Sequence, residues 1–218
     1  NGMQINYDGN FFEDLEEARK EKEKLKNTIS LIKTLESDLK KEIKEVYVLP
    51  TTTKTPNQRP IIVGFGPSGM YAGLILAEAG LKPIIIERGQ AVEQRTKDIN
   101  TFFTKGKLVE SSNVQFGEGG AGTFSDGKLT TRMKNVRVSK VYEEFVEAGA
   151  NPAILYQQRP HLGTDVLQSI VKKIREKIIR LGGEIHFDTK LESLLLNGNQ
   201  IIGIHTNKQD FTTDSVIL

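Results

Sequence analysis

Residues 61–89, IIVGFGPSGMYAGLILAEAGLKPIIIERG, restrict the fold more than any other part of this chain. They run in the order apolar strand, glycine turn, helix rich in small residues, and a second apolar strand ending at Glu87. Such a unit sets a helix N-terminus at the carboxyl edge of a parallel sheet, where backbone N–H groups and the helix dipole attract phosphate. Gly64 lets the chain turn out of the strand, Gly66 lets the backbone approach a pyrophosphate, and Gly69 allows helix and strand to pack closely. Ala72 and Gly73 on the helix and Gly80 before the second strand continue the small-residue pattern. Glu87 follows Gly64 by 23 residues and stands where a carboxylate accepts hydrogen bonds from a ribose. The expected ligand is a dinucleotide. Acidic Glu87 argues against a 2′-phosphate, and so against NADP, leaving FAD and NAD both open on this motif.

At 218 residues the chain holds one sizeable domain and an appendage. A net charge of +2, with 27% charged residues, makes no electrostatic case for nucleic acid. The absence of cysteine excludes disulfides, thiolate metal sites and a redox-active disulfide beside a flavin. No apolar run approaches the ~20 residues that cross a bilayer, and no secretory signal is visible. A soluble cytoplasmic protein with no membrane partner is expected.

The N-terminal part differs in kind. Phe12, Leu15, Ala18, Leu25, Ile29, Ile32, Leu35, Leu39, Ile43 and Val46 recur at steps of three and four, interrupted at Lys22, with Glu and Lys on the other faces. This spacing predicts an amphipathic helix or helical hairpin over 12–46. It packs on its own domain or makes a partner contact such as a homo-oligomer. Residues 50–60, PTTTKTPNQRP, form a proline-interrupted linker. The expected organisation is a helical segment at 1–50, a linker at 51–60 and the main domain at 61–218. Within that domain helices are expected at 91–103, 137–148 and 163–181, the last with Thr164 or Asp165 near its N-cap and Gly182-Gly183 ending it. Residues 184–187 form a further parallel strand. Segments 191–196, 201–206 and 211–218, joined by asparagine and glycine turns, form an antiparallel meander.

A second glycine cluster, NVQFGEGGAGTFSDGKL at 113–129, places glycine at 117, 119, 120, 122 and 127. Such a segment exposes backbone N–H groups and lets a bulky ligand approach the main chain. Phe116 and Phe124 give it something to bury, and Lys128 offers positive charge to a phosphate or a reduced flavin. Its spacing and the residue after Lys128 do not match a Walker loop, which argues against nucleoside triphosphate hydrolysis.

Together, VGFGPSGMYAGLILAEAG, IIIERG, RTKD at 95–98 and the 113–129 segment resemble the FAD-dependent dehydrogenases of bacteria, a family of NAD(P)/FAD-dependent oxidoreductases. FVEAGA at 145–150, PHLGTD at 160–165 and LGGEIHFDTK at 181–190 extend the resemblance over about 59–218. It implies an α/β, Rossmann-like FAD/NAD(P)-binding fold, a parallel sheet with an inserted meander, and FAD rather than NAD. By this resemblance Gly64, Gly66, Pro67, Ser68 and Gly69 line the pyrophosphate, Glu87 holds the adenosine ribose and Arg88 lies near the adenine. Gly119, Gly120, Ala121, Gly122, Thr123, Lys128 and Leu129 approach the pyrophosphate, ribityl chain and flavin, while Leu191 offers its backbone to the adenine. The chain ends in SVIL at 215–218, where such folds run into another glycine turn beside the cofactor. The first part of a longer protein is expected, with the reactive half of the site incomplete and FAD binding or turnover by this part alone left open.

The implied activity is hydride or electron transfer between a reduced donor, such as NAD(P)H, and an organic small-molecule substrate, with the flavin carrying the chemistry. No general acid or base is assigned. His161 stands before a helix start, His186 and His205 fall in strand patterns, no cluster has metal-ligand spacing, and Ser68 belongs to the dinucleotide turn. Two other functions remain open. A flavin-dependent RNA-modifying or RNA-binding protein has the basic helix Lys172, Lys173, Arg175, Lys177, Arg180 as its support. A non-catalytic nucleotide-binding module assembled through the N-terminal helix is the third reading.

Overall fold

The computed structural model describes residues 10–42, 46–52, 56–129, 131, 133, 135–157 and 160–218, with side chains outside 10–14 and 37–42. The chain divides into two units, Asn1–Val46 and Tyr47–Leu218. The first contains one helix, α1 (Asn10–Glu42), along which Leu25, Ile29, Ile32 and Leu35 are exposed. The sequence carries this helix to Val46, but Val46 is not helical. Ile43, and residues 53–55 of the expected linker, lie outside the described residues.

The second unit begins with β1 (Ile61–Val63), α2 (Pro67–Glu78), β2 (Ile84–Ile86) and α3 (Val92–Lys105). After a short 3-10 turn at Ala121–Phe124 come α4 (Val136–Glu147), α5 (Thr164–Arg180) and β3 (Glu184–His186). The chain then forms β4 (Leu191–Asn197), β5 (Gln200–Thr206), β6 (Asp210–Thr212) and β7 (Val216–Ile217). A parallel sheet has the order β3-β2-β1-β7, with Ile61 opposite both Ile84 and Val216. The antiparallel sheet β4-β5-β6 is the expected meander.

These layers explain why β1 and β2 are apolar at every position. Side chains of a strand alternate between faces, so a strand covered on both sides shows no polar alternation. Ile62 and Ile85 pack in one cluster with Phe65, Leu74, Ile170, Ile174 and Ile178 from the turn, α2 and α5. Ile61, Ile84 and Ile86 pack in another with Ile204, Leu191 and Phe211 of the meander. Helices, parallel sheet and meander thus form three layers of a Rossmann-like fold.

One expectation needs correction. Residues 211–218 do not form a single meander strand: β6 ends at Thr212, and β7 crosses to the parallel sheet beside β1. Fully buried Thr213 makes the corner, its hydroxyl donating to the Arg59 carbonyl at 2.9 Å and accepting from Ser215 N at 3.1 Å. The last helix starts as expected, with Gly163 as the N-cap of α5 and Thr164 and Asp165 next to it in the first turn.

Among the described residues no helix is long and apolar enough to cross a membrane. The β1–α2 junction is tightly packed: a Cβ on Gly69 would collide with the Gly64 carbonyl oxygen. Gly69→Ala is therefore expected to destabilise the fold by about 2–3 kcal/mol through overpacking, read as a lower urea midpoint. An unchanged midpoint would contradict this contact.

Candidate functional site

A cavity of about 400 Å³ opens at the carboxyl ends of β1 and β2, where open parallel sheets take their ligands. Gly64 and Gly66 form one side, Glu87 and Arg88 follow β2, and Leu191 opens β4. Gly64 turns the chain at φ +97°, a conformation that favours glycine. Gly66 then caps α2 with no side-chain cap, and Pro67 occupies the first turn, where its missing N–H costs nothing.

Gly66 is the informative residue. Its φ of −73° suits any residue, and a Cβ there would meet no atom within 4 Å. Neither backbone conformation nor packing in the protein requires glycine at this position of the cavity wall. A ligand lying against the main chain would require it, and the neighbouring helix N-terminus suits a ligand that carries phosphate.

Glu87 is 6% exposed, and its carboxylate accepts from Phe65 N at 2.6 Å and Gly89 N at 2.8 Å. Each oxygen of a carboxylate has a second acceptor position, so Glu87 is fixed by the turn and still able to accept from a hydroxyl. The Arg88 guanidinium lies 4.0 Å over the Phe116 ring and makes a stacked wall.

The two glycine segments meet here. Gly119 N donates to the Phe65 carbonyl at 2.7 Å, and a Cβ on Gly120 would lie 3.1 Å from Pro67 Cδ. Of the residues expected from sequence, Gly64, Gly66, Glu87, Arg88, Gly120 and Leu191 share the cavity wall. Pro67, Ser68 and Gly69 form the first turn of α2 beside it. Ala121 and Gly122 are exposed in the 3-10 turn, where Thr123 is buried with its hydroxyl donating to Glu118 O at 3.1 Å. Lys128 is exposed and pairs with Asp126 at 2.8 Å, while Leu129 packs on the main core. The wall also includes Gln115, Phe116, Gly117, Thr189 and Lys190, which the sequence reading did not assign. Their signal was membership of the 113–129 segment for the first three and adjacency to Leu191 for the other two.

Two buried charges behind the wall hold it in place. Arg95 is fully buried and donates to three loop carbonyls, those of Asn113 (2.7 Å), Glu118 (2.6 Å) and Val114 (2.9 Å). Burial pushes its guanidinium down to about 10, against the pull of Glu87 and Glu118, so it stays charged at neutral pH. Glu118, also fully buried, accepts on Oε2 from Val92 N at 2.7 Å and Arg175 Nη1 at 2.9 Å. Its Oε1 has no partner among the described residues. Burial pushes this carboxyl up to about 7, with the Val92 N–H and the Arg175 charge pulling the other way.

The folded chain therefore holds the Glu118 proton more tightly than the unfolded chain, where the group titrates near 4.5. Its stabilising contribution is complete below that value and is lost as pH rises through about 7. Between pH 5 and 8 the urea midpoint should fall more steeply for wild type than for Glu118→Gln, which has no proton to lose. Equal slopes would contradict this assignment.

The family model described as an FAD binding domain matches residues 59–216. An uncharacterized protein of Clostridium beijerinckii is 47% identical over 177 residues, which cover 81% of this chain and 33% of the relative. The chain thus spans about a third of the length of that relative. Among solved structures, Thermovibrio ammonificans THI4 is similar at a TM-score of 0.45 and 18% identity, covering 88% of this chain and 63% of its own. The 3-ketosteroid-delta4-(5alpha)-dehydrogenase of Rhodococcus jostii RHA1 is similar at 0.43 and 13%, covering 78% and 48%. With the matched region running from just before the first strand of the glycine-turn unit into β7, the chain belongs to the FAD binding domain family, and its cofactor is FAD.

Proposed function

We propose that residues 61–218 supply the FAD-holding part of a cytoplasmic flavin-dependent oxidoreductase, which moves hydride or electrons between a reduced donor such as NAD(P)H and an organic substrate. The observation that carries this reading is bare Gly66 on the cavity wall, next to a helix N-terminus and across from buried Glu87. Gly64, Gly66, Pro67, Ser68 and Gly69 take the pyrophosphate, and the open acceptor positions of Glu87 take the adenosine ribose. Arg88 and Leu191 flank the adenine. Gly119, Gly120, Ala121, Gly122 and Thr123 lead from there towards the flavin, followed by Lys128 and Leu129. Bound FAD supplies hydride-accepting chemistry, and these residues bind and orient it.

The RNA-directed alternative has lost most of its support. Lys172 and Arg175 pair with Glu93, Arg175 with Glu118, and Lys177 with Glu78, Glu144 and Glu147. The basic stripe on α5 thus ties it to α2, α3 and α4, and offers less free charge to phosphates than its sequence suggests.

The test is anaerobic mixing of the FAD-loaded full-length polypeptide with NADH and with NADPH. Loss of flavin absorbance with at least one of them is expected. Flavin that stays bound and oxidised with both would favour the non-catalytic module instead.

A further inference from the structure

Helix α1 spans 33 residues, about 50 Å at 1.5 Å per residue. Every side chain from Leu15 to Glu36 is exposed, the large apolar ones included: Leu25 by 58%, Ile29 by 50% and Ile32 by 49%. Most helical stability in proteins comes from packing an apolar face. Among the described residues of this unit there is no buried core for that face to pack on.

The spacing of the exposed residues says what would cover them. Leu15, Lys22, Ile29 and Glu36 recur at every seventh position, and Ala18, Leu25 and Ile32 stand three residues after the first three of them. These are the a and d positions of a heptad repeat, which buries its seam by winding around another helix of the same kind. Isoleucine at a (Ile29) with leucine at d (Leu25) favours two strands.

The charges beside the seam decide how two copies align. The e positions are Arg19, Lys26 and Lys33, all cationic, while Glu21 stands at g. In a parallel pair each g residue meets the e residue five places further along the other helix. Glu21 of each copy then lies beside Lys26 of the other, an attractive contact made twice by symmetry. In an antiparallel pair e positions meet e positions, and Arg19, Lys26 and Lys33 would face only cations. Lys22 and Glu36 meet their own kind across a parallel seam, which costs stability. Lysine offsets part of that by keeping its stem on the seam and its ammonium in water, and a polar residue at a holds a coiled coil to one register and one strand number.

We propose that α1 pairs with α1 of a second copy of this chain as a parallel, in-register, two-stranded coiled coil. The helix is then a dimerisation element, with Leu25, Ile29 and Ile32 in its seam and Glu21 and Lys26 fixing its direction. The inference is independent of the cofactor reading and stands or falls separately from it.

The test is sedimentation equilibrium of the full-length polypeptide as wild type, Ile29→Lys, Lys26→Glu and the double variant Glu21→Lys, Lys26→Glu. Wild type should form a dimer. Ile29→Lys should weaken it by at least about a hundredfold, because two isoleucines leave the seam. Lysine is also the better helix former, so this change does not act through helix propensity. Lys26→Glu should weaken the dimer about tenfold by turning two attractive pairs repulsive, and the double variant should return to within about threefold of wild type. FAD affinity, which reports on the other unit, should be the same in all four and shows that each is folded. A monomer at about 100 μM, a trimer or larger assembly, or a dimer that Ile29→Lys leaves intact overturns the proposal. Lys26→Glu that leaves the dimer unchanged or tightens it, or a double variant as weak as the single one, overturns the parallel register.

Discussion

The ligand cavity depends on one buried guanidinium. Arg95 reaches from α3 into the start of the second glycine segment and satisfies three carbonyls at once. It also lies 4.7 Å over the ring of Phe124, beyond the glycines. An unpaired buried charge is costly, and so is each buried carbonyl left without a donor. Arg95 and the loop therefore answer each other's polar needs, and removing either leaves the other unsatisfied. Glu118 extends the arrangement to α5 through Arg175. The Gly119–Phe65 hydrogen bond then joins the clasped loop to the dinucleotide turn. Without this clasp the wall opposite Gly66 would be a glycine-rich strand with little to order it.

The glycines divide by what demands them. Gly64 and Gly127 hold backbone conformations that other residues rarely adopt. Gly69 and Gly73 are kept bare by the Gly64 carbonyl and the Ile85 side chain. Gly66, Gly122 and Gly163 have neither constraint. A protein loses stability through needless glycine, because the unfolded chain gains freedom. Glycines without an internal reason therefore point to something outside the polypeptide, and one of them lies on the cavity wall.

Most of the fold was legible in sequence because it rests on local patterns. The strand, turn, helix and strand of 61–89 announce themselves through continuous apolar runs and glycine spacing, and the Asn-Gly turn at 197–198 announces β4 and β5. The places of Gly66 and Glu87 on the cavity wall were legible because a motif fixes them, and that of Leu191 because the resemblance implied it. What sequence hid depends on distant partners. Arg95 looks like any basic residue on an amphipathic helix, since its acceptors lie at 113–118. Glu118 looks like a solvated loop carboxylate until burial is known. The split between β6 and β7 was hidden because a corner made by one threonine hydroxyl leaves no periodic trace. Phe116 was recognised as a burying residue, but its role as a stacking surface for Arg88 required the fold.

The central claim is that glycine at 66 serves the cofactor and not the protein. Gly66→Asp separates the two, because aspartate is a better N-cap than glycine or an equal one, yet it places a carboxylate where phosphate is to lie. Unfolding midpoint and FAD affinity should be measured on the same preparation. The account predicts an equal or higher midpoint together with FAD binding weakened by at least about a hundredfold, from like-charge repulsion at a desolvated contact. A variant that binds FAD as tightly as wild type would contradict it.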